Sequence, residues 1–286
     1  MAPAAAIAAL VALGVWWAAT GAILLAVRHA DRAGGIAHGM TAACAVQLLA
    51  LGVALVAAAG EGAEAGHVYA AFLGAVAVWG WIELAFLLGV VVGPERGRLP
   101  AGLAGWPRFR RAWRTVAHHE LALLAGFALV ALLARGASGE VALWTYGILL
   151  AARILAKLNL FLGVPRINHE FLPRRLLHLG SYFRQGPPTP FYALSVAVLA
   201  LATAWLAADV RGAGTLPEMA AAMLLAALAG LALAEHALMV LPLPDARLWR
   251  WMLPAPAAAA AAETIPGGAR RAPRPDSPSR GRSHGL

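Results

Sequence analysis

Long apolar runs alternate with short polar segments along most of this chain. A helix that rises 1.5 Å per residue needs about 20 apolar residues to cross roughly 30 Å of hydrocarbon. Several of the runs reach or exceed that length, so the pattern predicts seven membrane-spanning helices. These helices are predicted at positions 4–27, 39–59, 67–92, 116–134, 140–162, 189–208 and 218–241.

The composition and periodicity of the runs indicate an all-α fold. Charged residues make up only 13% of the chain, whereas soluble domains average roughly 25%. In a bilayer core every backbone N–H and C=O must be paired within the protein, which leaves helices and closed barrels as spanning structures. Barrel strands alternate apolar and polar side chains, and these runs do not alternate. We expect a polytopic membrane protein with about seven transmembrane helices and short cytoplasmic interfacial helices.

Arginines are concentrated in every second connection between the predicted spans. Connections two, four and six contain only Arg135 and Arg211, while the other connections and the C-terminal tail carry all the rest except Arg153 of span five. Basic residues near span ends favour the cytoplasmic side, which predicts an outside N-terminus and a cytoplasmic C-terminus. No charge precedes Arg28, so the first run is interpreted as a retained span and not a cleaved signal peptide.

Two of the arginine-rich segments also carry apolar residues at regular spacing. Positions 103–114 interleave tryptophan, phenylalanine and arginine, and positions 164–183 have a roughly helical apolar pattern that Pro173 interrupts, opening a second short helix. Both segments are predicted to lie in the membrane interface, with arginines toward anionic headgroups. We expect a transmembrane domain over positions 1–253 and a disordered cytoplasmic tail over 254–286, where few residues can bury apolar surface.

Several charged residues interrupt the apolar runs on the predicted cytoplasmic half. A charge at mid-membrane costs about 2.5–3.5 kcal/mol on insertion scales, and Arg153 and Lys157 share one helix face, so they need carboxylates from other helices. One interpretation is a charge network that sets helix register, and the other is a polar cavity for an anionic ligand or headgroup. The predicted intramembrane polar network comprises Glu83, Glu120, Arg153, Glu235 and His236.

Three histidines also allow two interpretations. A neutral imidazole can be an axial ligand to the metal of a tetrapyrrole, which makes His118, His119 and His236 candidate pigment ligands. Alternatively, each forms hydrogen bonds at a helix end near headgroups, and His118 and His119 stand at the predicted start of span four. The chain has one cysteine and lacks the spacing of a zinc site, a phosphate-binding loop or a nucleophile elbow. We therefore predict no metal site and no catalytic residues, and no nucleic-acid partner for the basic loops.

Three stretches carry a family resemblance: AKLNLFLGVPRINHEFLPRRLLHLGSY at 156–182, EHALMVLPLPDARLWRW at 235–251 and HELALLA at 119–125. They resemble the photosynthetic complex assembly family PuhE of purple and related phototrophic bacteria. The resemblance implies location in the bacterial inner (cytoplasmic or intracytoplasmic) membrane. It also implies a non-catalytic role in assembling or regulating the photosynthetic apparatus, with reaction-centre or antenna subunits or pigment-synthesis enzymes as partners.

The end of predicted span five offers a means for such a role. We expect a platform there that binds a partner subunit or a pigment precursor, formed by Lys157, Asn159, Pro165, Asn168 and Glu170. One alternative function is a carrier or sensor of bacteriochlorophyll or a precursor, with the histidines as ligands. The other is a small-molecule or proton-coupled transporter that uses Glu83, Arg153 and Glu235.

Overall fold

The computed structural model describes residues 2–60, 62 and 64–241, and within them it is an all-α protein with seven helical stretches long and apolar enough to cross a membrane. The predicted fold class is thereby confirmed. The helices are α1 Ala2–Ala33, α2 Ala37–Cys44, α3 Val46–Ala59, α4 Ala65–Leu87, α5 Gly105–Leu133, α6 Gly136–Leu162, α7 Pro190–Gly212 and α8 Leu216–Leu238. The predicted tail at 254–286 lies outside the described residues.

Helix α4 is the centre of the bundle. Two thirds of its most apolar window (67%) is buried, compared with 17% for α1 and for α7. Its closest neighbour is α3, where Gly52 and Gly74 meet backbone to backbone. A Cβ atom on Gly52 would lie 2.8 Å from the Gly74 carbonyl oxygen, and a Cβ atom on Gly74 would lie 2.8 Å from that of Gly52. Small residues of this kind allow membrane helices to approach closely.

The second span consists of two helices, because α2 and α3 are separated at Ala45. The break leaves the Ala42 carbonyl available, and Trp81 of α4 donates its indole N–H to that oxygen at 3.2 Å. The sequence prediction of one unbroken span at 39–59 did not include this break. Neither glycine nor proline occupies position 45, so the sequence carries no helix-breaking signal there.

Helix α4 ends five residues before the predicted limit at position 92. Gly89 has φ +70°, and the Gly89 and Val90 N–H groups donate to the carbonyls of Phe86 and Ala85. This is a Schellman ending, in which a left-handed glycine satisfies the last carbonyls of a helix. The apolar residues after Gly89 continue as irregular backbone, and Gly93 packs so closely on α5 that a Cβ atom would meet the Arg114 oxygen at 1.9 Å.

The predicted division between a segment at 103–114 and a span starting at 116 was wrong. Helix α5 runs without interruption from Gly105 to Leu133. Pro107 lies in its first turn, where the missing N–H has no intrahelical partner to lose. The aromatic and basic residues of this segment therefore form the first turns of the span itself.

Residues 88–104 and 163–189 fold together over the arginine-rich end of the bundle, and we call them the arginine-rich cap. Leu99 N–H donates to Ser181 Oγ at 2.9 Å, and Tyr182 Oη donates to the Gly97 carbonyl at 3.0 Å. Arg108 of α5 donates to the carbonyls of Phe161 and Tyr182 at 3.0 and 2.7 Å. These bonds connect both cap segments to α5 and α6.

The short helices of the cap differ from the prediction in where their apolar side chains lie. Pro173 does precede a second short helix, which is the 3-10 helix Arg174–Tyr182. However, Leu176 and Leu179 are buried within the protein against Phe86 and Val92, not inserted in the membrane interface. The irregular segment after α4 supplies this apolar surface, and the sequence pattern alone had no reason to place it there.

Candidate functional site

Glu83 and Arg153 form an ion pair between the centre of the bundle and α6. The Glu83 carboxylate is only 2% exposed, and Arg153 Nη2 donates to its Oε2 at 2.6 Å. Removing a carboxylate from water is costly unless a cation and hydrogen bonds replace the lost hydration. Glu83 lies four residues before the end of α4, so this pair is near the arginine-rich end of the helices.

His119 of α5 connects this pair to a second one. Its Nδ1 lies 2.9 Å from the Lys157 ammonium and its Nε2 lies 3.3 Å from Glu83 Oε1, while the ring is fully buried. An ammonium group can only donate, so Nδ1 accepts and the ring proton is placed on Nε2, facing Glu83. Phe86 stacks on the imidazole at 4.1 Å between ring centroids.

Glu120, the neighbour of His119, accepts a hydrogen bond from Lys157. We call Glu83, His119, Glu120, Arg153 and Lys157 the buried charge network. Two carboxylates face two cations in it, with a neutral imidazole between them, so its formal charges cancel. Cancellation of this kind keeps charged groups tolerable in a low-dielectric interior.

Glu235 lies apart from these pairs, on α8. Its carboxylate accepts the indole N–H of Trp16 at 2.9 Å, and its side chain is exposed. It borders a cleft of about 180 Å³ between α1, α4, α6 and α8, which we call the α1–α8 cleft. Arg153 also lines this cleft, so the guanidinium lies between the buried charge network and the cleft.

His236 belongs to neither group. It is 1% exposed, and its Nδ1 lies 2.8 Å from the Ala232 carbonyl of its own helix. Its backbone carbonyl accepts a hydrogen bond from Tyr192 of α7. The structure therefore brings three of the five predicted network residues, Glu83, Glu120 and Arg153, into the buried charge network. Glu235 lies beside it on the α1–α8 cleft, and His236 forms a local contact within α8 instead.

The three candidate pigment ligands do not converge. His119 has both ring nitrogens beside network partners and one ring face under Phe86, which leaves no position for an axial metal. His118 is the next residue on α5 but is exposed on the surface of that helix. Both histidines were predicted to stand at the start of span four, yet His119 lies fourteen residues inside α5 (Gly105–Leu133).

The five predicted platform residues lie in different environments. Lys157 points into the buried charge network, and Asn159 is fully buried, donating to Ser195 Oγ of α7 at 3.1 Å. Pro165 is half-buried and its carbonyl accepts from Gln185. Asn168 and Glu170 are exposed on the cap. A continuous platform of all five is thus ruled out by the burial of Asn159, and only the last two remain accessible on the cap.

Sequence reasoning did not identify two contacts of this site. Trp16 holds Glu235 although it is 219 positions away, and an aromatic residue in an apolar run carries no signal of such a bond. Phe86, which covers His119, gives no signal either. His119 was considered as a pigment ligand or as a residue hydrogen-bonded at a helix end, although its adjacency to Glu120 and the presence of Lys157 in span five could have suggested a network role.

The region has limited chemical options. Among residues 2–60, 62 and 64–241, no group of three His, Cys, Asp or Glu side chains is placed to hold a metal ion.

Outside the membrane-spanning helices, His178 of the cap has a pKa lowered from its ordinary value, chiefly because it is partly buried and next because Arg96 is nearby. Neutral His178 is thus favoured in the folded cap.

The chain is similar in sequence to known proteins. The model of a family described as a protein of unknown function, DUF3623, matches residues 2–260. A protein of Rhodobacter capsulatus described as an uncharacterized 30.4 kDa protein in the puhA 5′ region is 44% identical over 264 residues, which cover 91% of this chain and 95% of that protein. No solved structure matches the chain.

Proposed function

This chain belongs to the DUF3623 family, and we propose that it is a non-catalytic membrane factor that assists the assembly or regulation of the bacterial photosynthetic apparatus. The relative from Rhodobacter capsulatus supports a photosynthesis-related role, because its description places it in the puhA gene region. The resemblance of three stretches to the PuhE family points the same way. The targets would be the reaction centre, its antenna or their bacteriochlorophyll supply.

The observation that carries the non-catalytic part of this proposal is the internal pairing of the buried charge network. Glu83 pairs with Arg153, Glu120 pairs with Lys157, and His119 contacts both pairs. A catalytic acid or base needs access to a reacting group. Here the buried carboxylates and the imidazole contact one another, which favours a role in holding α4, α5 and α6 in register.

The arginine-rich cap is the surface that we propose for partner docking. Asn168, Glu170, Arg174 and Arg175 are exposed on it. Beneath them, Arg174 N–H donates to Asp31 Oδ2 at 3.4 Å and Arg175 donates to the Gly35 carbonyl at 3.3 Å. A surface held by such bonds is ordered before it binds, which lowers the entropic cost of association.

Purification in mild detergent from phototrophic cells tests this role. We expect reaction-centre or antenna subunits, or a pigment-synthesis enzyme, to accompany the wild-type protein. Glu170→Lys should reduce their yield several-fold, whereas Asp209→Lys, an exposed change near the other end of the bundle, should not. Isolation of the wild-type protein without any of these partners, after chemical cross-linking in intact cells, would contradict the proposal.

We further propose that the arginine-rich cap faces the cytoplasm in the inner membrane, with the N-terminus outside. The alternation of arginines between connections supports this orientation. Reporter fusions at each end of the chain test it. A periplasmic reporter should be active at the N-terminus only, and activity at the C-terminus would reverse the topology.

A second candidate function is pigment carriage, and one observation favours it at a single residue. His118 presents an exposed imidazole on the outer surface of α5, where a tetrapyrrole in the lipid could reach it as an axial ligand. A long-wavelength absorption band in protein from pigmented cells should then be lost in His118→Ala and kept in His236→Ala. A band that His118→Ala leaves unchanged would remove this candidate.

The transporter alternative gains no support from the described residues. Glu83, Arg153 and Glu235 lie near the arginine-rich end of their helices. Between them and the opposite end of the bundle, positions 66–82 of α4, 141–152 of α6 and 219–234 of α8 contain no Asp, Glu, Lys or Arg. Intramembrane ionisable residues mark substrate and proton pathways, and here they do not continue across.

A further inference from the structure

The α1–α8 cleft is lined by one cation and two carboxylates among mostly apolar side chains. Arg153 has a side chain that is 33% exposed, and Glu235 is exposed at the cleft, whereas Glu83 behind them is 2% exposed. Most other lining residues are apolar and include Ile23, Leu24 and Leu231. The cleft is therefore amphipathic, as a site for the polar end of a lipid would be.

Exposed Glu235 lacks the cationic partner that each of the two buried carboxylates has. Glu83 and Glu120 each pair with a basic side chain, but among the described residues no Lys, Arg or His nitrogen lies within 4.0 Å of the Glu235 carboxylate. Its hydrogen-bond donor is the neutral indole of Trp16. Because an unpaired carboxylate beside hydrocarbon is costly, a cationic group from outside the chain would stabilise it.

Arg153 retains capacity for an anionic partner. A guanidinium carries five N–H donors, and Glu83 accepts from Nη2. The remaining exposed part of the group can donate to phosphate oxygens, which arginine binds well. The cleft thus offers a donor for an anion and, beside it, an acceptor for an ammonium group.

We propose that the α1–α8 cleft binds the headgroup of a zwitterionic phospholipid with a primary ammonium, placing the ammonium on Glu235 and the phosphate on Arg153. Glu83, Arg153 and Glu235 together carry one excess negative charge when ionised, which disfavours an anionic headgroup. A quaternary ammonium has no N–H to donate, so phosphatidylcholine would bind less tightly. The acyl chains would run along the apolar walls. This site is separate from the cap and from the proposed assembly role.

Native mass spectrometry of the detergent-purified full-length protein tests this proposal. The protein is mixed with equal amounts of phosphatidylethanolamine, phosphatidylcholine and phosphatidylglycerol of the same acyl chains, and the bound lipids are counted. We expect enrichment of phosphatidylethanolamine over both others. Loss of a charge-assisted hydrogen bond corresponds to roughly ten-fold weaker binding or more, so Glu235→Gln should reduce the enrichment by about that factor.

Matched variants make the result decisive. Glu140→Gln changes an exposed glutamate near the far end of α6 and should keep the enrichment. Trp16→Phe removes the indole N–H that positions Glu235 and should weaken it, which provides a second variant if Glu235→Gln fails to fold. Equal binding of the three lipids to the wild type, or enrichment that Glu235→Gln and Trp16→Phe both retain, overturns the proposal.

Discussion

Lys157 donates its ammonium proton to Nδ1 of His119 over 2.9 Å, and this contact joins the two ion pairs of the buried charge network. It connects α5 to α6, because His119 belongs to α5 and Lys157 to α6. Coupled groups of this kind are expected to respond non-additively to substitution.

The first prediction concerns the Glu83–Arg153 pair. Glu83→Gln leaves the Arg153 guanidinium without its carboxylate, and breaking a buried pair costs about 3–5 kcal/mol. Because Arg153 is one-third exposed, we expect the lower end of that range. The free energy of unfolding in detergent, measured with a chemical denaturant, checks this.

The double variant Glu83→Gln/Arg153→Met supplies the control for this pair. It removes both charges, so its destabilisation should be smaller than that of Glu83→Gln alone. If the double variant is destabilised by as much as Glu83→Gln and Arg153→Met added together, the two residues are not energetically coupled.

The second prediction concerns the close crossing of α3 and α4. Gly52→Ala places a Cβ atom 2.8 Å from the Gly74 carbonyl oxygen, so the helices must separate, at a cost of about 1–3 kcal/mol. Gly14→Ala is the matched control, because nothing lies within 4 Å of its Cβ position. It should be neutral or slightly stabilising. Equal melting temperatures for the two variants would refute the crossing geometry.

The third prediction concerns the break between α2 and α3. Trp81→Phe keeps the ring but removes the N–H that satisfies the Ala42 carbonyl. An unsatisfied buried carbonyl costs about 1–3 kcal/mol, so the melting temperature should fall. Trp205→Phe, at a residue that is 54% exposed, serves as the control. A fall no greater than that of the control would mean that the indole bond contributes nothing.

The fourth prediction concerns the pH dependence of the cap. Burial lowers the pKa of His178 below its ordinary value of 6.5, so the unfolded chain binds a proton at a higher pH than the folded cap. Stability is therefore full above about pH 6.5 and is lost as the pH falls toward the folded pKa. Hydrogen exchange of residues 174–182, corrected for intrinsic rates, should show weaker protection at pH 5.5 than at pH 7.5.

A substitution isolates the contribution of His178 to that change. His178→Asn should reduce the difference in protection between the two pH values, whereas His29→Asn, at an exposed histidine on α1, should leave it intact. Protection that depends on pH equally in all three proteins would assign the effect to another group.

The pairing within the site could be predicted only in part. The spacing of Arg153 and Lys157 indicated a shared helix face and carboxylate partners on other helices, and both partners are observed. The spacing could not tell which glutamate each cation meets, because that depends on which helices are neighbours. The sequence analysis also placed both Glu235 and His236 in the polar network, although adjacent helical positions point about 100° apart.

The ends of the helices could likewise be predicted only in part. Apolar length located the seven spans, since the bilayer imposes a minimum run on every crossing. It overextended α4 because Val90–Val92 are as apolar as the helix before them, while the left-handed backbone at Gly89 ends the helix. It also missed the break at Ala45, where a tryptophan from another helix satisfies the freed carbonyl.

The amino-acid sequence by itself determined that this protein crosses a membrane as helices, and that its ionisable residues within the spans gather near the arginine-rich end. Both properties depend on transfer of single segments from water to lipid, which composition and run length describe. Only the tertiary structure decided that His119 joins two ion pairs, that Trp16 holds Glu235 and that the cap buries Leu176 and Leu179. Those contacts join residues far apart in the chain, and they arise from how the helices and connections pack.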